Sequence, residues 1–295
     1  MTGDAPASRE DSRIFAPGLL DGHVALVTGG GTGLGRATAH ELSRCGAAVT
    51  IAGRRTEVLE EAATEIAASA GPVDWMSGDV RSRPDAERMI GEVLDRHGRL
   101  DLLVNNAGGQ YFTPAELIAL KGWRAVWRLN VEGTLNMAES AFELAFRPAR
   151  GGTIVNVTLS PHHGMPGMAH SGAARASVEA LTRELARRWL ADGVTMTAVA
   201  AGHFDTDVLA KYPATVRAAT ARSVPLQRMG SAEEHAWLVA LLASPLGRAF
   251  NGSTVTIDGA RDNWAGPWPP PGLADESGEV PVEERRLPSS QDDRG

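Results

Sequence analysis

Short, continuously apolar runs alternate along the chain with segments whose apolar residues recur every three or four positions. The run Val24 to Val27 leads into TGGGTGLG and then into an amphipathic stretch from Arg36 to Cys45. The run AAVTIAG ends at Gly53, and Arg54 and Arg55 open a segment with Val58, Leu59, Ala62 and Ile66 at helical spacing. Val73 to Met76 reaches Asp79 and Val80 before a helix that opens near Asp85, and Leu100 to Val104 runs into NNAGG. Gly122 to Phe146 reads as one long helix, apolar on more than one side and so suited to pack on the sheet and on another subunit. Thr153 to Thr158, Val194 to Ala200 and Ser253 to Ile257 are further strands, with helices expected over about His170 to Leu190 and Ala232 to Ala243. Strands apolar throughout are buried on both faces. Their alternation with helices predicts an α/β fold, a doubly wound parallel sheet of about seven strands, Rossmann-type, in a single domain.

The pattern sets the expected boundaries. A flexible arm is expected over 1–20, the α/β domain over 21–263 and an irregular proline-rich tail over 264–295. Phe204 to Gly230 has weak periodicity and is expected to form a lid over a pocket. With 36 acidic against 29 basic side chains the net charge is −7, which leaves no basic footprint for nucleic acid. No apolar run approaches the roughly 18 residues of a membrane span. The polar N-terminus lacks the apolar core of a signal peptide. The lone Cys45 excludes an internal disulfide, so the expected setting is the cytoplasm.

The glycine-rich turn carries the first chemistry. Its spacing is G-x-x-x-G-x-G at Gly29, Gly33 and Gly35, with Thr32 and Leu34 between them. Gly29 can make the sharp turn off the strand, and Gly33 lets backbone approach a pyrophosphate at the helix N-terminus. At the end of the second strand an acidic residue would accept from a ribose 2′-hydroxyl, whereas Arg54 and Arg55 offer planar donors to a 2′-phosphate. NADP(H) is therefore the expected cofactor. Asp79, followed by Val80, is placed to accept from an adenine amino group or to serve as a turn aspartate.

TGGGTGLG, NNAGG at Asn105 to Gly109, Asn130 and AGHFDT at Ala201 to Thr206 together resemble the short-chain dehydrogenase/reductase family over nearly the whole chain. APGLLDGHVALVTGGGTGLG, NNAGGQYFTPAELIALKGW and HSGAARASVEALTRELA are similar to its peroxisomal trans-2-enoyl-CoA reductase branch. The related 2,4-dienoyl-CoA reductases share TGGGTGLG and a serine four residues before the active-site basic residue. The resemblance implies that Asn106, Ala107 and Gly108 line the adenosine and ribose side, that Asn130 holds a water, and that Gly202 and Thr206 border the nicotinamide and its phosphates.

The chain departs from the family where proton transfer belongs. In place of Tyr-x-x-x-Lys it has Ser171-Gly-Ala-Ala-Arg175, and the family serine falls near Leu159, between Thr158 and Ser160. Ser171 has too high a pKa to protonate an alkoxide well, and Arg175 keeps its charge while it holds the ribose. Reduction of a C=C bond conjugated to a thioester asks instead for donors to the thioester oxygen. Ser171, Ser160 and Thr158 are the candidates, with Asn130 and Arg175 completing the catalytic set. His162 and His163 are possible sources of the Cα proton, and Tyr111 and Tyr212 possible acids. His162, His163 and His203 have no carboxylate at ligand spacing, so no metal is expected. The expected activity is NADPH-dependent reduction of a trans-2-enoyl-CoA-like thioester by a homodimer or homotetramer. An NADP-dependent alcohol or aldehyde dehydrogenase acting on a hydrophobic carbonyl such as a terpenoid, or a cofactor-binding protein without turnover, stays open.

Overall fold

A computed structural model describes residues 11–160, 162, 167–207 and 220–263. His163, Tyr212, much of the expected lid and the tail with Trp264 and Trp268 lie outside the described residues.

The first three strands, β1 (Val24–Thr28), β2 (Ala48–Gly53) and β3 (Val73–Ser77), are separated by α1 (Gly33–Arg44) and α2 (Thr56–Ala67). Helix α3 (Arg83–His97) starts on Ser82, whose hydroxyl accepts the Asp85 N–H, and stops at Gly98 in the left-handed region. It leads to β4 (Leu102–Asn105). Then come α4 (Leu120–Trp127), α5 (Gly133–Ala141), the short α6 (Arg147–Ala149), β5 (Gly152–Leu159), α7 (Ala169–Trp189) and β6 (Val194–Ala201). Two residue pairs, β7 (Phe204–Asp205) and β8 (Gly230–Ser231), form a small separate sheet. Helix α8 (Ala232–Ala243) opens on a Ser231/Glu234 capping box and is followed by β9 (Thr254–Ile257).

Seven strands make one parallel sheet in the order β3-β2-β1-β4-β5-β6-β9. Alternation along each strand covers both faces. Val27, Ile51, Val104 and Val199 pack with Leu42 of α1, Ile66 of α2 and Val239 of α8. Leu26, Leu103, Ile154 and Met196 pack with Met89 of α3 and with Met137 and Phe146. Each such side chain contributes about 1.5–3 kcal/mol on burial. Because the chain returns to the far side of β1 after β3, a crevice opens at the carboxyl ends of β1 and β4, where ligands bind in open α/β sheets.

The structure differs from expectation in three places. Within the arm, Leu20 is buried, Phe15 and Leu19 pack on the first apolar layer, and Ser12 Oγ donates to Glu41 Oε1 at 2.5 Å. Phe15, Leu19 and Leu20 stand in a short segment broken by Pro17 and Gly18, too short to register as a periodic pattern, yet they pack it onto the core. The long helix is longer, from Leu120 to Ala149, and is interrupted by π-helical turns at Arg128–Glu132 and Phe142–Phe146. The β7/β8 pair is too short to read from sequence.

Candidate active site

Gly29 leaves β1 with φ +65° and donates its N–H to Ala52 O at 2.7 Å. A Cβ on Gly35 would overlap the Gly29 carbonyl, so α1 begins in direct contact with the turn. At Gly33, with φ +53°, a Cβ would meet only Thr206, at 3.8 Å. The start of α1 and the segment after β7 therefore flank an open groove. Thr32 precedes α1 without a capping side chain, and Leu34 is half-buried against the core, so the amides of the first turn face that groove with the positive end of the helix dipole. Free amides at a helix N-terminus beside open space suit an anion such as a pyrophosphate.

Thr28 locks the turn to the end of β4. Its hydroxyl donates to Val104 O and accepts the N–H groups of Asn106 and Ala107 at 3.1 and 3.0 Å. Asn106 Nδ2 donates to Thr28 O and Gly29 O at 3.1 and 3.3 Å. The Asn106 side chain thus braces the glycine turn, which leaves the backbone of Ala107 and Gly108 to border the crevice.

Arg54 and Arg55, at the end of β2, are exposed. Arg54 is close enough to Asp79 for its charge to lower the Asp79 pKa. The larger cause of that lowering is Arg81, which holds both Asp79 carboxylate oxygens; Asp79 Oδ1 also accepts the Arg81 N–H at 3.1 Å. Asp79 thus has the contacts of a turn aspartate, with its carboxylate held by Arg81. Val80 packs against Gly133, and its carbonyl accepts from Asn136.

Beside Gly108 lies the guanidinium of Arg175, so close that a Cβ on the glycine would overlap Nη2. Arg175 is buried, its Nη1 donates to Val157 O at 2.7 Å, and its Nε has no hydrogen-bond partner. Burial pushes its pKa down to about 10, which still leaves a cation at neutral pH. Asn130 is fully buried on the first π-turn. Its Nδ2 donates to Val126 O and Gly109 O at 2.8 and 2.9 Å, and its Oδ1 accepts the Gly109 N–H. The turn widens the helix, and Asn130 uses the freed carbonyl to tie the NNAGG loop down.

Ser171, one helical turn before Arg175, is buried and donates to Gln110 Oε1 at 3.1 Å. The other candidate donors are engaged elsewhere. Thr158 Oγ donates to Glu179 Oε1 at 2.9 Å, and Ser160 Oγ donates to Asp258. Asn156 and Thr158 share one side of β5, with Leu159 on the other, and Ser160 follows the strand end. Ser160 thus differs from Ser171 in having a carboxylate, not a neutral amide, as the acceptor of its hydroxyl. Gly202, after β6, must be glycine because a Cβ would overlap Asp258.

His162 has both ring nitrogens on carboxylates, Nδ1 with Asp262 at 2.5 Å and Nε2 with Glu179 at 3.0 Å. The carboxylates missing near it in sequence come from α7 and from beyond β9. Among the described residues, no group of three or more His, Cys, Asp or Glu is placed to hold a metal ion. Sequence reasoning missed Gln110, Glu179, Asp258, Asp262 and His170. His170 lies inside the singled-out stretch, but only the helical phase of α7 reveals that its ring meets Tyr111 and Trp123, at centroid distances of 4.4 and 6.1 Å.

A family model described as enoyl-(acyl carrier protein) reductase matches residues 29–260. The chain belongs to the short-chain dehydrogenase/reductase family. This short-chain oxidoreductase is 36% identical over 255 residues to a Bacillus subtilis (strain 168) protein named probable 2,4-dienoyl-CoA reductase, covering 85% of this chain and all of that one. The peroxisomal 2,4-dienoyl-CoA reductase of Arabidopsis thaliana is 32% identical over 256 residues, 83% of this chain and 86% of that one. Among solved structures, the citronellol catabolism dehydrogenase (AtuB) of Pseudomonas aeruginosa PAO1 superposes with TM-score 0.76 at 41% identity, over 84% of this chain and 98% of that one. A Pseudomonas aeruginosa RhlG/NADP active-site complex superposes with TM-score 0.78 at 28% identity, over 84% of this chain and 100% of that one. The family uses a nicotinamide cofactor. The residues present fit one, with an open cradle at Gly33 and a buried cation carrying an unpaired Nε at Arg175.

Proposed function

We propose that this oxidoreductase reduces a C=C bond conjugated to an acyl thioester, with NADPH as the hydride donor. The observation that carries the reading is the Ser171–Arg175 pair where the family keeps tyrosine and lysine, held on one face of α7 beside Gly108 and Asn130. The first turn of α1 and Gly33 hold the pyrophosphate, and Arg54 and Arg55 hold the 2′-phosphate. Arg175 holds the ribose hydroxyls and keeps a fixed positive charge beneath the ring. Thr206 borders the phosphates and nicotinamide opposite Gly33.

Bound there, the reduced nicotinamide supplies a hydride. The acceptor takes it at Cβ, its π electrons collect on the thioester oxygen as an enolate, and Cα then takes a proton from water, leaving hydroxide to the solvent. Ser171 meets the developing charge by moving its hydrogen bond from Gln110 to that oxygen, a preorganised donor inside a buried wall. An alkoxide would need a full proton, which neither Ser171 nor Arg175 gives up readily. The 2,4-dienoyl-CoA reductase relatives support the same acceptor class. Exposed Trp127 and Leu144 on the long helix and Leu190 after α7 are apolar surface that supports association of protomers.

A hydrophobic terpenoid carbonyl is the second reading, favoured by the 41% identity to a citronellol catabolism dehydrogenase. The test is NADPH oxidation by purified protein with crotonyl-CoA and 2,4-hexadienoyl-CoA, set against citronellal and aliphatic aldehydes. Thioester turnover supports the first reading. Turnover of aldehydes alone overturns it in favour of the second, and tight NADPH binding with neither leaves a cofactor-binding protein.

A further inference from the structure

His170 stands on the first turn of α7, immediately before Ser171, and is 1% exposed. Neither of its ring nitrogens has a hydrogen-bond partner. A buried polar group left unpaired costs about 1–3 kcal/mol, so folds seldom keep one without a use. The ring is held edge-on by Tyr111 and Trp123. Burial lowers its pKa, and the N-terminal end of a helix also disfavours the cation. The side chain is therefore an uncharged imidazole with one N–H to give and one lone pair to accept.

Its ring neighbour Tyr111 links it to the Ser171 side of the site. Tyr111 follows Gln110, the partner of Ser171. Along this wall Thr158 is bound to Glu179, Ser160 to Asp258, and His162 to two carboxylates. Ser171, on a neutral amide, and His170, with no partner, are by contrast not held by a carboxylate.

We propose that His170 is a second donor to the acyl carbonyl, its N–H and the Ser171 hydroxyl gripping the thioester oxygen together. The assignment rests on the thioester reading above. A neutral imidazole at a helix N-terminus polarises a carbonyl without transferring its proton, so the Cα proton comes from elsewhere. The orphan ring is then explained: its missing partner is the substrate.

The test compares wild-type enzyme with His170→Phe, which keeps a flat ring between Tyr111 and Trp123 and removes both nitrogens. The expected result is an unchanged or raised Tm, unchanged NADPH affinity, and kcat/KM for crotonyl-CoA lowered by roughly 100-fold, as for loss of one oxyanion donor. Turnover within about threefold of wild type, or an activity loss that tracks a fall in Tm, overturns the proposal. A second measurement avoids any folding defect. In 15N-histidine-labelled wild-type enzyme with NADP+, butyryl-CoA should move the His170 N–H proton downfield, with His170→Gln giving the assignment. No movement overturns the proposal. Wild-type enzyme inert to crotonyl-CoA removes the thioester reading and this one with it, whereas wild-type turnover with unimpaired His170→Phe removes this one alone.

Discussion

The Arg175 guanidinium and the α-carbon of Gly108 leave no room for a methyl group between them, and Asn130 Oδ1 closes the same space at 2.9 Å from where a Cβ would stand. Gly108→Ala must therefore displace Arg175 or the NNAGG loop. Overpacking of this kind costs about 1–3 kcal/mol, and the displaced cation is the one proposed to hold the ribose. The expected outcome is a Kd for NADPH raised about tenfold or more with a modest fall in Tm. Fluorescence titration of NADPH checks it. Unchanged affinity would detach Arg175 from the cofactor.

Two serines expected as equivalent donors differ in their commitments. Ser171 faces the neutral acceptor Gln110, whereas Ser160 is held by the Asp258 carboxylate. A charged partner holds a hydroxyl about twice as strongly as a neutral one. Ser171→Ala should lower kcat for crotonyl-CoA by roughly 100-fold and leave NADPH binding intact. Ser160→Ala should act mainly on Tm, through an unpartnered Asp258. Steady-state kinetics beside thermal melts separates the two; equal kinetic losses would restore Ser160 to the donor set.

These contrasts mark where sequence reasoning reached. Mostly apolar runs gave the strands, because a strand buried on both faces favours Val, Ile and Leu on each. The glycine spacing gave the turn, since only glycine fits where Gly35 meets the Gly29 carbonyl. The second half of the site was hidden by distance along the chain. Ser160 and Asp258 are 98 residues apart, and His162 and Asp262 are 100 apart. No local period records such pairs. The direction of a side chain at a strand end was equally hidden, since a shift of one residue in the pleat exchanges the faces that Thr158, Leu159 and Ser160 occupy.

Arg54 and Arg55 are exposed and stand where β2 ends, with the Asp79 carboxylate already neutralised by Arg81. A 2′-phosphate would add charge-assisted bonds of about 1.5–3 kcal/mol, or roughly 10- to 100-fold in affinity. Replacing both arginines with Ala should raise the KM for NADPH by that factor and leave NADH use nearly unchanged. Equal effects on the two cofactors would remove the phosphate assignment.

Two histidines should shape stability against pH from opposite sides. His162 bridges Glu179 of α7 and Asp262 beyond β9, with Asp258 adjoining through the Asp262 N–H. Burial alone would lower its pKa, but the hydrogen bond to Asp262 and the charge of Glu179 outweigh this and raise it above the ordinary value. The folded state then binds the proton more tightly than the unfolded chain. That stability is fully present below about pH 6.5 and is lost as pH rises through the folded pKa. His235 is the reverse: burial between α1 and α8 pushes its pKa down to about 4, so the unfolded chain takes the proton first. Stability falls as pH drops from about 6.5 toward 4, by on the order of 3 kcal/mol. Urea unfolding across this range should give a maximum near neutrality. His162→Gln should flatten the alkaline limb alone and His235→Phe the acid limb alone, because the two sites share no partner. An alkaline limb that survives His162→Gln would show that the carboxylate clamp does not hold the loop after β5 to α7.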